Sequence, residues 1–159
     1  MFVQEEILDE GNMYKCEKCN ILRKCKKKLS IFRFPEILVV HMKRFRYNNI
    51  NAREKINTDV NFPLHGLDLT PFLSKDRNTN NNSNNEPSID NPPIYDLVGV
   101  SNHTGGISGG HYIAHVNTNS NKSNEASRWV CFNDERVDVV NEASLIGPSA
   151  YVLFYKLRK

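Results

Sequence analysis

A histidine framed by glycines, Gly105-Gly106-Ile107-Ser108-Gly109-Gly110-His111-Tyr112, is the part of this sequence best suited to chemistry. Four glycines in six residues give a mobile loop that lets another backbone approach closely. His111 follows directly, at the start of a strand-like segment, and rigid support beneath a flexible gate suits a catalytic base. Read locally, the same residues also fit a Gly-rich hairpin turn with an incidental histidine. Downstream, Trp129-Val130-Cys131-Phe132-Asn133-Asp134 places two polar side chains just past an apolar strand. Either could accept an imidazole N–H and fix the ring's tautomer. Asn133 and Asp134 also fit a plain turn.

A histidine followed by an asparagine points to thiol catalysis, in which the imidazole takes a cysteine's proton and the thiolate attacks a carbonyl. The cysteines are Cys16, Cys19, Cys25 and Cys131. Cys25 precedes His111, as the order requires. Yet Lys24-Cys25-Lys26-Lys27-Lys28 reads as a strand, without the helix N-terminus that would aim a thiolate and supply oxyanion donors. Cys131 shares a strand with Asn133 and reads as core. The nucleophile is therefore expected from outside the chain. Cys16 and Cys19 stand in Cys-x-x-Cys spacing, and reduced cysteines without a disulfide framework fit metal or catalytic roles. With no secretory leader visible, thiols imply a reducing compartment, cytoplasmic or nuclear.

The elements that must position these groups read mostly as strands. Phe2 to Glu10 resembles the end of an amphipathic helix, with Val3 and Ile7 four apart and a stop at Gly11-Asn12. Ile37 to Met42 is almost continuously apolar, which predicts a strand buried on both faces or a short buried helix, with His41 as a hydrogen-bonded core histidine. Further strands are predicted over Asn57–Phe62, Tyr95–Val100, His111–Val116, Trp129–Phe132 and Tyr151–Tyr155. Ser74 to Pro93 is rich in asparagine and reads as a disordered surface insertion. A shorter polar stretch, Asn117 to Ser127, is expected to cap a hairpin. His115 lies further along the His111 strand, and His65 reads as surface.

The 159 residues suffice for one domain with a core, and the formal net charge is a mild +3. No apolar run reaches the ~18 residues a membrane helix needs, so no membrane role is expected. Positive charge gathers at Arg23, Lys24, Lys26, Lys27 and Lys28; such a run could bind nucleic acid or an acidic partner, but a solvated strand face is the favoured reading and nucleic acid is not expected as a partner.

Several of these segments, taken in order, resemble the ubiquitin-specific proteases. They are Glu6 to Cys19, Phe34-Pro35-Glu36-Ile37-Leu38-Val39-Val40-His41-Met42-Lys43-Arg44-Phe45, Val60-Asn61-Phe62-Pro63 and Tyr95 to His103. The histidine box, Trp129 to Asp134 and Ala150 to Tyr155 complete the series. The resemblance implies an α+β, mostly antiparallel fold: residues 1–159 as the C-terminal portion of one catalytic domain, a papain-like cysteine protease palm with a fingers piece over 12–34 and the thumb missing. It implies deubiquitination, the hydrolysis of the isopeptide bond at the ubiquitin C-terminus, with ubiquitin and ubiquitinated proteins as partners. His111 matches the base, Asn133 the third triad position and Asp134 its polar neighbour. His103, Gly109, Gly110 and Tyr112 match the channel for the ubiquitin tail, and Cys16 and Cys19 match half of the fingers zinc site. No cofactor is required for catalysis. The family's cysteine motif, Asn-x-Gly-Asn-Thr-Cys-Tyr-x-Asn, is absent, so the chain alone is expected to be inactive. Two alternatives stand beside this reading: a non-catalytic ubiquitin-binding member, and a basic zinc-containing interaction module.

Overall fold

In a computed structural model, residues 4–47, 53–74, 91–120 and 126–158 are described. Residues 75–90, the centre of the expected insertion, lie outside them, as do Phe2 and Val3. The chain divides into two compact units, Met1–Phe34 with Leu69–Pro92, and Pro35–Asp68 with Pro93–Lys159.

The first unit holds β1 (Glu6–Leu8), β2 (Tyr14–Lys15), β3 (Leu22–Arg23) and β4 (Cys25–Lys27). The predicted N-terminal helix is corrected to a strand: β1 pairs antiparallel with β4, setting Leu8 opposite Cys25. A single i,i+4 apolar pair is too little to offset the cost of helix nucleation, whereas a neighbouring strand satisfies the same backbone groups. The charges follow the pairing. Lys26 meets Glu5 at 2.8 Å, Lys24 meets Glu10 at 3.3 Å and Lys27 meets Glu6 at 3.6 Å. These exposed pairs add little stability, but they neutralise much of the lysine run, which weakens the basic-module alternative. Leu29–Phe34 forms no ladder. Instead Ile31 bridges in parallel to Leu73, just past a single 3-10 turn at Thr70–Phe72.

The second unit is built on one antiparallel sheet. Its strands are β5 (Ile37–His41), β8 (Leu67–Asp68), β9 (Ile94–Gly105), β10 (Gly110–Asn117), β11 (Trp129–Asn133), β12 (Arg136–Val140) and β13 (Ala150–Leu157). They run in the order β12-β11-β10-β9-β13-β5, with β8 added to the start of β9. A separate hairpin joins β6 (Phe45–Tyr47) to β7 (Arg53–Lys55). No described helix is long and apolar enough to cross a membrane.

β9 carries the core: Tyr95, Leu97, Val100 and Asn102 are buried on one face. An irregularity in its pairing with β13, where Phe154 opposes Gly99 and Tyr155 opposes Leu97, switches the inward positions from odd to even numbers. Trp129, Leu145, Ala150, Leu153 and Tyr155 fill the same core. β10 and β11 pair antiparallel on either side of the polar stretch, whose residues 121–125 lie outside those described, and Asn117 Oδ1 accepts from the N–H groups of Asn119 and Arg128.

Two expectations fail here. β5 is an edge strand, and its outward residues Ile37, Val39 and His41 are exposed, so His41 is not a core histidine. Apolar character on its outer face continues across the sheet through Phe154, Val116, Phe132, Val137 and Val139, all exposed. Asn57–Phe62 is not a strand. Side chains replace the ladder there. Arg44, 3% exposed, donates from Nη1 to the carbonyls of Ile56 and Thr58, both at 2.9 Å, and from Nε to Ala150 at 2.6 Å. Tyr155 Oη donates to the Pro63 carbonyl at 2.8 Å, and burial pushes its phenol up to about 12.

Arg44 is thus a charged donor shared by three backbone acceptors. Replacing it with methionine strands those carbonyls, so Arg44→Met is expected to cost about 3 kcal/mol or more. Urea unfolding checks this: the midpoint falls while the slope stays constant.

Candidate active site

His111 opens β10, immediately after the glycine loop. The loop's glycines divide by role. Gly105, at φ +107°, pairs with Gly110, and a Cβ on Gly105 would stand 2.7 Å from Gly110 Cα. A Cβ on Gly110 would collide with the His103 ring. These two glycines let the β9 and β10 limbs close on each other, while Gly106 and Gly109 face open space. The Gly106 N–H donates to the Gly109 carbonyl at 2.9 Å and seals the turn.

Asn133 comes from the far end of β11. β11 and β12 are joined by the two-residue turn Asp134-Glu135, with Asp134 at φ +51°, a conformation aspartate tolerates better than most residues. The turn leaves Asn133 at the end of its strand, on the face that His111 shares. Asn133 Oδ1 lies 2.6 Å from His111 Nε2, and Asp134 Oδ2 lies 3.8 Å from the same nitrogen. An amide oxygen can only accept, so Nε2 carries the proton. The neutral ring then keeps its lone pair on Nδ1. His111 is half exposed.

The structure brings His111, Asn133 and Asp134 together, and sets the other matched residues apart. Strand alternation puts His103 and Tyr112, a cross-strand pair, on the opposite face. The His103 ring lies 4.6 Å from Tyr112 and 5.7 Å from Phe45, and Tyr151 joins the cluster at 6.0 Å. Burial, with a smaller effect from the Lys55 charge, pushes the His103 imidazole below its ordinary range. Its Nδ1 is buried with no hydrogen-bond partner among the described residues. His41 packs edge-on against Tyr151 at 4.7 Å. His65 sits at the surface, its Nε2 2.7 Å from Glu142 Oε1.

Sequence reading missed one group on the His111 face. Asn102 Nδ2 donates to His115 Nδ1 at 3.2 Å, and Ser149 Oγ donates to Asn102 Oδ1 at 3.1 Å. Burial lowers the His115 imidazole from its ordinary value. The signal available was the i,i+4 spacing of His111 and His115, which is even and so same-face on a strand.

Among the cysteines, Cys25 lies on β4, as its context predicted, and Cys131 is half buried on β11 with His115 as its cross-strand neighbour. Cys16 and Cys19 sit between β2 and β3 in a turn closed by Asn20 N–H to the Cys16 carbonyl at 2.7 Å, with Asn20 at φ +58°. Hydrogen bonding from the Cys19 and Lys18 backbone, then from the Cys19 side chain, lowers the Cys16 thiol. Among the described residues no third histidine, cysteine or acid joins them, Cys25 included.

A family model described as ubiquitin carboxyl-terminal hydrolase matches residues 7–155. This chain belongs to the ubiquitin carboxyl-terminal hydrolase family. It is 39% identical over 155 residues to ubiquitin carboxyl-terminal hydrolase 5 of Arabidopsis thaliana, covering 98% of this chain and 15% of that protein. To ubiquitin carboxyl-terminal hydrolase 2 of Gallus gallus it is 40% identical over 157 residues, covering 99% of this chain and 39% of that protein. It is also similar to the SAGA Ubp8/Sgf11/Sus1/Sgf73 DUB module bound to ubiquitin aldehyde, at a TM-score of 0.77 and 28% identity, covering 99% of this chain and 32% of that one. The chain thus spans between about a seventh and two fifths of the lengths of these relatives. The mostly antiparallel sheet is an architecture this family member shares with that module.

His103 and His115 carry a pH consequence. Both imidazoles are held below the value of about 6.5 that an unfolded histidine shows. Below that pH the unfolded chain binds protons that the fold refuses, so stability present above it is lost as pH falls toward the folded values. His115→Gln, which keeps an acceptor for Asn102, is expected to shrink this acid-side fall in urea midpoint. An unaltered fall would show that His115 does not contribute.

Proposed function

We propose that this chain supplies the histidine and asparagine half of a thiol-dependent deubiquitinase, acting on the isopeptide bond at the ubiquitin C-terminus. The observation that carries the reading is the 2.6 Å contact between His111 Nε2 and Asn133 Oδ1, which leaves Nδ1 as the basic nitrogen. Family membership supports it, and so does the ubiquitin aldehyde bound by the similar DUB module.

In the proposed reaction a cysteine from outside these residues gives its S–H proton to His111 Nδ1. The thiolate attacks the carbonyl carbon of the terminal ubiquitin residue, and the carbonyl electrons move onto oxygen. The intermediate collapses, the C–N bond breaks and His111 returns the proton to the leaving lysine amine. A thioester remains. His111 then takes a proton from water, whose oxygen displaces the thiolate and frees the ubiquitin carboxylate. Asn133 keeps the ring oriented throughout, and Asp134 adds negative charge beside the imidazolium.

The sheet and its exposed apolar face make the palm of a papain-like fold in this reading, and residues 12–34 a fingers piece. Exposed Tyr112, Gly109 and Gly110 line the path of the ubiquitin tail in this reading, where glycines suit a narrow passage, and buried His103 backs Tyr112 from behind. Cys16 and Cys19 would hold two of four positions around a structural zinc, whose role is to pin the fingers turn. The setting is a reducing compartment, cytoplasmic or nuclear.

The test is hydrolysis of a ubiquitin C-terminal fluorogenic conjugate by the full-length enzyme containing this chain. His111→Ala is expected to lower kcat by about 10³-fold or more, the scale of a lost general base. Asn133→Ala loses less, and Asn133→Asp keeps most activity because a carboxylate also accepts from Nε2–H. The chain alone is expected to be inactive. Full activity in His111→Ala would sink the proposal, and so would hydrolysis by the isolated chain that survives that substitution.

A further inference from the structure

Lys55, at the end of β7, is bound in a way that its sequence context does not announce. Among the described residues its ammonium meets no carboxylate. It donates instead to two backbone carbonyls of β9, His103 at 2.8 Å and Gly105 at 2.9 Å. Burial, then the nearby Arg44 charge, lowers the Lys55 ammonium from its ordinary value.

The two acceptors are open for a topological reason. The N–H and C=O of one strand residue point the same way, and alternate residues point alike. The His103 N–H donates to the Ser149 carbonyl, on the side away from β10. The carbonyls of His103 and Gly105 therefore face that side too. β13 begins only at Ala150, opposite Asn102. Past Asn102, no described strand pairs with β9 on that edge, and Lys55 fills the place a strand would take.

The clamp lies at the root of the proposed active site. Between its two acceptors stands Thr104, the cross-strand partner of His111. Gly105, the second acceptor, is where the glycine loop leaves the sheet at φ +107°. Phe45, opposite Lys55 on β6, stacks near His103, so the β6–β7 hairpin grips this end of β9 through both a charge and a ring.

We propose that Lys55 is a positioning residue for His111: its ammonium pins the end of β9 and thereby the strand start that carries the imidazole and its glycine loop. This inference rests on the deubiquitinase reading above. Lys55 touches no reacting atom in it and acts through backbone placement alone.

Three measurements test the proposal together. In the full-length enzyme, Lys55→Met is expected to lower kcat tenfold or more, toward the ~10²-fold that a misplacement of about 1 Å can cost, with little change in KM. Lys55→Arg, whose fork also reaches two carbonyls, is expected to recover much of the loss. By hydrogen exchange on the chain itself, Lys55→Met should speed exchange at the His103 and Gly106 amides and leave β11 and β12 protected. A kcat equal to that of the unsubstituted enzyme overturns the proposal. Exchange that rises equally across the whole sheet also overturns it, by making Lys55 a general stabiliser. His111→Ala, run alongside, separates the two claims. If it is inactive while Lys55→Met is fully active, only the clamp fails; if it is active, the functional reading fails and takes the clamp with it.

Discussion

The phase of one strand organises this sheet. β9 pairs with β8, β10 and β13, so every other placement in the second unit is referred to it. Its alternation breaks near Val98, where the register against β13 slips. Before the break Tyr95 and Leu97 face the core, and after it Val100 and Asn102 do. Without the extra residue the inward positions would stay odd, and His103 rather than Asn102 would point inward. His111 opposes Thr104, so its face is the even one. The bulge is what places the His111–Asn133 pair on the same face as the packed core, where Asn102 and Ser149 can brace the strand beneath it.

That break also explains much of what could be read from the sequence. β9, β10, β11 and β13 were recognisable from apolar and β-branched runs, and His111 with Asn133 from residue type and order. The phase change was not legible, because a bulge leaves composition untouched. β5 misled for a related reason. Its continuous apolar run promised burial on both faces, yet it is an edge strand whose outer residues belong to a broad exposed apolar face. Asn57–Phe62 and Phe2–Glu10 failed differently. In the first, a single buried guanidinium takes the carbonyls that a strand partner would have taken, and in the second, a strand distant in sequence outcompetes a helix with one apolar repeat. Long-range partners decided both, and local pattern does not contain them.

The histidines make the same point about function. His41, His65, His103, His111 and His115 are chemically identical, and their neighbours give them different capacities. His103 is enclosed by Tyr112, Phe45 and Tyr151, and burial lowers its imidazole from the ordinary value. His115 Nδ1 accepts from Asn102, so its ring cannot offer that lone pair elsewhere. His65 is tied to Glu142 at the surface. His111, like His65, has an N–H fixed on Nε2 and a half-exposed ring, but its acceptor is a neutral amide and it stands beside the glycine loop.

The choice of a carboxamide to fix that N–H has a chemical logic. An asparagine oxygen accepts from Nε2–H in both charge states of the ring, so the orientation holds whether or not Nδ1 has taken a proton. A carboxylate in its place would also favour the charged ring. Here the two tasks are divided: Asn133 at 2.6 Å sets direction, while Asp134 at 3.8 Å contributes charge from a longer range and from the solvent-exposed side. At that range and exposure the Coulomb attraction is largely screened.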